Sequence, residues 1–148
     1  MIKLRPIVAG RAEGAILCSL REISLWGGVD PASGRIIDRR HDRHGESIVG
    51  RVLVVPGEKG SSTGSAVLLE LIRAGLAPAA IVTRVFAPAV TLGAIVAEEL
   101  YGKTIPILRA SETAFRALRD GERIAIAKSG EVRGAAAATG KPAAYVRP

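Results

Sequence analysis

Residues 57–65 of this chain read GEKGSSTGS, setting Ser61, Ser62, Thr63 and Ser65 around Gly64 and just after Gly60. The segment follows an apolar run closed by Pro56-Gly57 and precedes the first clearly helical stretch. A helix begins with backbone N–H groups that lack intrahelical partners, and its aligned peptide dipoles add partial positive charge there. Gly60 and Gly64 let a ligand approach the backbone closely. A carboxylate or a phosphate is therefore the ligand class this spot suits. The plainer role is a helix cap supplied by Ser61 or Ser62, worth about 1 kcal/mol. One serine suffices for a cap; four hydroxyls and two glycines exceed that need.

Other phosphate and nucleophile patterns do not match. The Walker pattern fails because no lysine follows Gly60 or Gly64, and no dinucleotide fingerprint is present. A Ser-His-Asp triad is conceivable with His41 or His44, but no G-x-S-x-G elbow frames Ser61 or Ser62. Both histidines fall in residues 39–46 (RRHDRHGE), which read as an exposed loop with solvated side chains. Cys18 is the only cysteine, which excludes an internal disulfide and any metal or iron–sulfur site built from this chain's own thiolates.

The formal charge of +7 suits an anionic substrate, an acidic partner or nucleic acid. The arginines are scattered except for Arg39, Arg40 and Arg43. Aromatics are only 3% of the chain, too few to interleave as base-stacking platforms, so nucleic acid is not the expected partner. The opening MIKLRPIVAGRAEG lacks an apolar leader core, and no stretch approaches 18 uncharged apolar residues. No membrane span and a cytoplasmic location are expected.

The elements that must position the loop follow from hydrophobic periodicity. Residues 3–9 and 15–20 read as short strands separated by a turn at 10–14. Residues 51–55 (RVLVV) form a buried strand stopped by Pro56-Gly57. A helix spans 66–74, with Val67, Leu68, Leu71 and Ile72 on one face and Gly75 as its stop. Residues 79–83 and 105–108 are further buried strands, with Pro106 marking an edge or a strand start. Helices lie at 90–100 and at 111–118, the latter capped by Ser111. Residues 123–128 and 131–133 form a closing hairpin. Residues 35–38 read as a brief strand, and the segment from 134 to 148 as a tail that wraps the surface or orders on a partner. Strand–helix alternation flanked by extra strands gives a layered β/β/α domain over 1–148. Residues 23–34 (ISLWGGVDPASG) are an irregular loop. In it Trp26, Gly27 and Gly28 either approach a cleft, with the glycines opening the backbone, or anchor the loop through a buried tryptophan.

The runs GEKGSSTGSAVLLELIRAGLAPAAIV and LGAIVAEELYGKTIPIL, with ISLWGGVDPASGRIID before them, resemble the aconitase X swivel domain in order and spacing. The core GEKGSS also resembles the serine loop of ordinary aconitase swivel domains, although an Arg follows the serine pair there and Thr63 stands here. The resemblance implies a swivelling three-layer α/β domain, a half-barrel of strands with helices on one side. It implies a dehydratase whose active site is shared with a large catalytic subunit. That partner brings an iron–sulfur cluster to act as Lewis acid, and this chain binds no cofactor alone. The family's serine base falls on Ser61, and Gly60, Ser62, Thr63, Gly64 and Ser65 fall on the substrate's carboxylate or phosphate.

Two substrates fit the resemblance, cis-3-hydroxy-L-proline in bacterial-looking members and phosphomevalonate in archaeal ones. The helical segments here look more like the bacterial type. A non-catalytic anion-binding regulatory module is the rival reading from another class.

Overall fold

The computed structural model describes residues 1–135. Seven strands form one mixed sheet: β1 (Arg5–Val8), β2 (Ala12–Cys18), β3 (Val52–Val55), β4 (Ala80–Thr83), β5 (Ile107–Arg109), β6 (Arg123–Ile126) and β7 (Val132–Gly134). Their order across the sheet is β1-β5-β4-β3-β2-β6-β7. The centre from β2 to β5 is parallel, and antiparallel strands finish both sides. Of the three parallel connections, the one from β2 to β3 is a long segment without a helix, and helices α1 (Gly64–Ala74) and α2 (Pro88–Tyr101) make the other two; α3 (Glu112–Ala117) links β5 to β6.

Strand β2 turns the sheet into a half-barrel. Its first half, Ala12 to Ala15, pairs with β6, while Ile16 to Cys18 pair with β3. Gly14 sits at that change of partner, where a Cβ would come within 2.5 Å of the Gly50 carbonyl oxygen. Alternation along each strand then sorts two cores. Leu17, Leu53, Val55, Ile81 and Ile107 face α1 and α2. Ile16, Val52, Val54, Val82 and Leu108 face α3 together with Ile124 and Ile126 of β6, because the sheet curls over them. The layered β/β/α architecture expected from the sequence is the one observed.

Several local expectations change. Strands β1 and β2 do not pair with each other; β1 runs to the far edge beside β5. Pro106 precedes β5, a strand start rather than an edge. Residues 35–38 contribute only single bridges, Arg35 to Ser47 and Ile36 to Val29. Apart from Gly134 and Ala135, the predicted tail lies outside the described residues. Among the described residues no helix is long and apolar enough to cross a membrane.

The polar run 39–46 is a correction of physical interest, since His41 and Arg43 are 6% and 2% exposed rather than solvated. Arg43 is buried because its guanidinium clamps Glu46 and lies 3.2 Å from Asp120, which also accepts the Cys18 N–H. His41 accepts the Arg43 N–H at Nδ1, so its proton sits on Nε2, 3.2 Å from the Ser19 hydroxyl. Ser19 in turn donates to Asp42 at 2.6 Å. This is a Ser-His-Asp cluster but no nucleophile, for the serine is 1% exposed and its proton points to the aspartate.

Burial lowers the His41 pKa below its ordinary 6.5, against a smaller opposing pull from Asp42. The unfolded chain therefore binds the proton more readily than the folded one, so stability is complete above pH 6.5 and falls as pH drops below it. The slope is at most about 1.4 kcal/mol per pH unit and levels off once folded His41 is protonated. Thermal melts between pH 7.5 and 5 should show this decline, and His41→Gln should flatten it. An equal decline in the variant would assign the effect elsewhere.

Candidate functional site

The parallel strands end at one edge of the sheet, where ligand crevices of α/β folds form. The loop after β3 carries the hydroxyl cluster to this edge. Gly60 takes φ +93° there, and a Cβ on it would lie 3.1 Å from the Ser24 hydroxyl. A side chain is thus disfavoured at 60 both by backbone conformation and by space. The loop is pinned on the other side by Ile23, whose N–H donates to the Gly57 carbonyl and whose carbonyl accepts the Lys59 N–H, each at 3.1 Å. The structure thereby brings the Trp26-Gly27-Gly28 segment beside the serine loop. Trp26 itself is 60% exposed, so it does not anchor the loop to the core.

Helix α1 starts after Thr63, whose own side chain makes no capping bond. Ser61 does the nearest equivalent: its Oγ accepts the Thr63 N–H at 3.0 Å and donates to the Thr63 hydroxyl at 2.8 Å. Ser65 donates its hydroxyl back to the Ser62 carbonyl at 2.7 Å. The Gly64 N–H is taken by the Ser61 carbonyl, and Gly64 is buried, packing near Leu25 and Ala89. Gly64 and Ser65 therefore shape the turn. What remains outward is the Ser62 hydroxyl and the N–H groups of Gly60, Ser61 and Ser62, for which no partner exists among the described residues. No acidic side chain occupies the first turn of α1, so no carboxylate of that turn offsets its positive end.

Glu58 holds the neighbouring helix and was not foreseen. Its carboxylate accepts the N–H groups of Ala89 and Val90 at 2.7 and 3.1 Å, replacing the side-chain cap that Ala87 cannot provide. No local sequence signal announces this contact, because the acceptor lies about thirty positions from its donors. Glu58→Ala should unfold at lower urea, a loss of about 1–2 kcal/mol. Glu58→Gln, which keeps one acceptor, should lose less. Identical midpoints for the two variants would contradict the double cap.

The serine loop forms a crest between two grooves. One, of about 310 Å³, opens between the starts of α1 and α2 and is lined by Glu58, Gly60, Ser62, Pro88, Ala89 and Leu92. The other, of about 360 Å³, is lined by Arg21, Arg40, Lys59 and His41 together with Leu20, Pro56, Glu22 and Asp38. A roomier cavity of about 420 Å³ lies at the opposite end of β2 and gathers no hydroxyl cluster. Among the described residues no group of His, Cys, Asp and Glu is arranged to hold a metal ion. Cys18 is buried in β2, so an iron–sulfur cluster finds no thiolate set in this chain.

Fold and loop together give a curled α/β domain with a hydroxyl- and glycine-rich turn at a helix start, flanked by a groove on each side. The chain belongs to the aconitase X swivel domain family, whose model matches residues 1–134. A segment of 107 residues, 72% of the chain, is 52% identical to cis-3-hydroxy-L-proline dehydratase of Pseudomonas aeruginosa; the chain spans only 18% of that protein's length. The phosphomevalonate dehydratase small subunit of Methanothermobacter thermautotrophicus is 39% identical over 134 residues, covering 89% of this chain and 98% of that one. The crystal structure of Thermococcus kodakaraensis aconitase X in its holo form superimposes with a TM-score of 0.79 at 36% identity, covering 91% of this chain and 98% of that chain.

Proposed function

We propose that the chain is the small swivel subunit of an aconitase X-type hydro-lyase and that Ser61 is the base that takes the substrate proton. The observation that carries the reading is the setting of Ser61 Oγ at the start of α1, already accepting the Thr63 N–H at 3.0 Å. A serine hydroxyl is a weak base, so the site must favour the alkoxide. Here the Thr63 N–H, the positive helix end and the Thr63 hydroxyl, which can turn to donate, all stabilise charge on that oxygen. The substrate's carboxylate or phosphate is held by the N–H groups of Gly60, Ser61 and Ser62 and by the Ser62 hydroxyl. The C–H proton passes to Ser61 Oγ, the C–H electron pair becomes the new double bond, and the hydroxyl leaves from the adjacent carbon. Departure of that hydroxyl falls to groups across the cleft on a large partner, to which the iron–sulfur cluster also belongs.

The 52% identity to the Pseudomonas dehydratase supports cis-3-hydroxy-L-proline as substrate. A second reading, phosphomevalonate, is favoured by the 98% coverage of the archaeal small subunit. The complex with its large partner should dehydrate the hydroxyproline with a kcat/KM at least about tenfold above that for phosphomevalonate. The reverse preference would move the assignment to phosphomevalonate, and turnover of neither would overturn the dehydratase reading.

A further inference from the structure

The cavity of about 420 Å³ at the far end of β2 is a trough on the outer face of the sheet, and three short runs of sequence build it. Alternation turns Ala12, Ile126 and Val132 toward the α3 core. It leaves Arg11 and Glu13, Ala125 and Ala127, and Glu131 and Arg133 on the outside. The strand register sets these outward residues in two rows. Glu13 pairs with Ala125, and Ala125 with Arg133. One step along, Arg11 lies across Ala127 from Glu131, whose carbonyl accepts the Ala127 N–H. Each row thus holds an arginine and a glutamate with an alanine between them, and the two rows run in opposite order. The floor is methyl groups, and the charged walls stand two strand spacings apart, about 10 Å. Among the described residues no ion pair crosses the trough. Glu13 lies 3.3 Å from Arg123 of β6, and Arg11, Glu131 and Arg133 form no ion pair.

We propose that this face joins two copies of the chain back to back about a two-fold axis running along β6. A two-fold contact brings residue i of one copy to residue j of the other, and j to i. About that axis the β2 wall of each copy lies on the β7 wall of the other, so Arg11 meets Glu131 and Glu13 meets Arg133, each twice. Alanine faces alanine in the middle and leaves the room in which these long side chains lie. Charge selects the occupant. The four charged side chains of the trough sum to zero on a chain of net charge +7. Self-association is therefore not opposed here as it is at the basic groove rim of Arg21, Arg40 and Lys59. A partner surface of one sign, acidic or basic, would meet its own charge at half of the positions. The trough lies at the opposite end of β2 from the serine loop, so both loops stay open in the pair. The pairing holds whether or not the chain is a dehydratase subunit.

The test is sedimentation of the full chain over a range of concentrations, with a melting curve for every variant. The wild-type chain should form a dimer that dissociates on dilution. Arg11→Glu and Glu131→Arg should each raise the dimer dissociation constant more than about tenfold, because each sets like charges together in both halves of the contact. An equimolar mixture of the two variants should recover the dimer, since the carboxylate introduced at 11 then meets the guanidinium introduced at 131. Ala125→Lys, which fills the floor, should weaken the dimer as well. Lys103→Glu, an exposed change just after α2, should sediment as the wild type does. A wild-type chain that stays monomeric throughout, as it would with any other occupant in the trough, would overturn the proposal. So would a dimer that neither charge reversal weakens, or a mixture of the two variants that stays dissociated.

Discussion

Ser61→Ala, assembled with its large partner, should lose turnover by about 10²–10⁴-fold, the range for removing a positioned base. Its affinity for the partner and its melting temperature should stay close to wild type. The side chain is exposed, and its structural duties are one bond from the Thr63 N–H and one to the Thr63 hydroxyl. Loss of that bond leaves the N–H in reach of water, so the stability cost stays within about 1 kcal/mol. Thr63→Val sharpens the point. It keeps the N–H toward Ser61 but removes the hydroxyl that can turn to the alkoxide, so kcat should fall by about tenfold while KM changes little. Near-wild-type turnover in Ser61→Ala would remove Ser61 from the role of base.

Gly28→Ala should be the most damaging single-methyl change in the site. The new Cβ would overlap the carbonyl oxygen of Ser24, and Gly28 is itself buried, with its own carbonyl accepting the Ile37 N–H at 2.8 Å. Ser24 cannot yield freely, because its hydroxyl is held by the Trp26 carbonyl at 2.9 Å and faces Gly60. Relief must therefore come from the turn that braces the serine loop. We expect about 2–3 kcal/mol of destabilisation in urea melts. Turnover should fall further than the folded fraction explains. Gly27→Ala is the control: φ is +76° but the space around it is open, so the cost is backbone conformation alone, about 1–2 kcal/mol. Equal effects at 27 and 28 would mean that the contact with Ser24 is unimportant.

The parts of this fold that reading the residues recovers are those with local causes. The run Val52–Val55 alternates between two cores and is stopped by Pro56-Gly57. Gly75 ends α1 in the left-handed conformation at φ +74°, and Ser111 caps α3 by accepting the Ala114 N–H. The serine loop is legible for the same reason: its hydroxyls and glycines are adjacent in sequence and act together at one helix start.

What escapes reading is set by contacts between distant residues. His41 and Arg43 look solvated until Ser19 and Asp120 supply their partners. Glu58 looks like a surface charge until the start of α2 arrives beside it. Trp26 would be placed in most cores by its size, and its exposure follows from a loop that is braced against the serine turn instead. The change of partners along β2 is equally silent, since Ala12–Cys18 reads as one strand whether it joins one neighbour or two.

The central claim is that this chain carries half of an active site, and it is tested by measuring dehydration with each chain alone and with both. Under anaerobic conditions with cis-3-hydroxy-L-proline as substrate, this chain by itself and the large subunit by itself should give no product. The two together should form a pyrroline carboxylate with a rate that saturates as this chain is titrated in. Full turnover by either chain alone, or no turnover when both are present and bound to each other, would contradict the account.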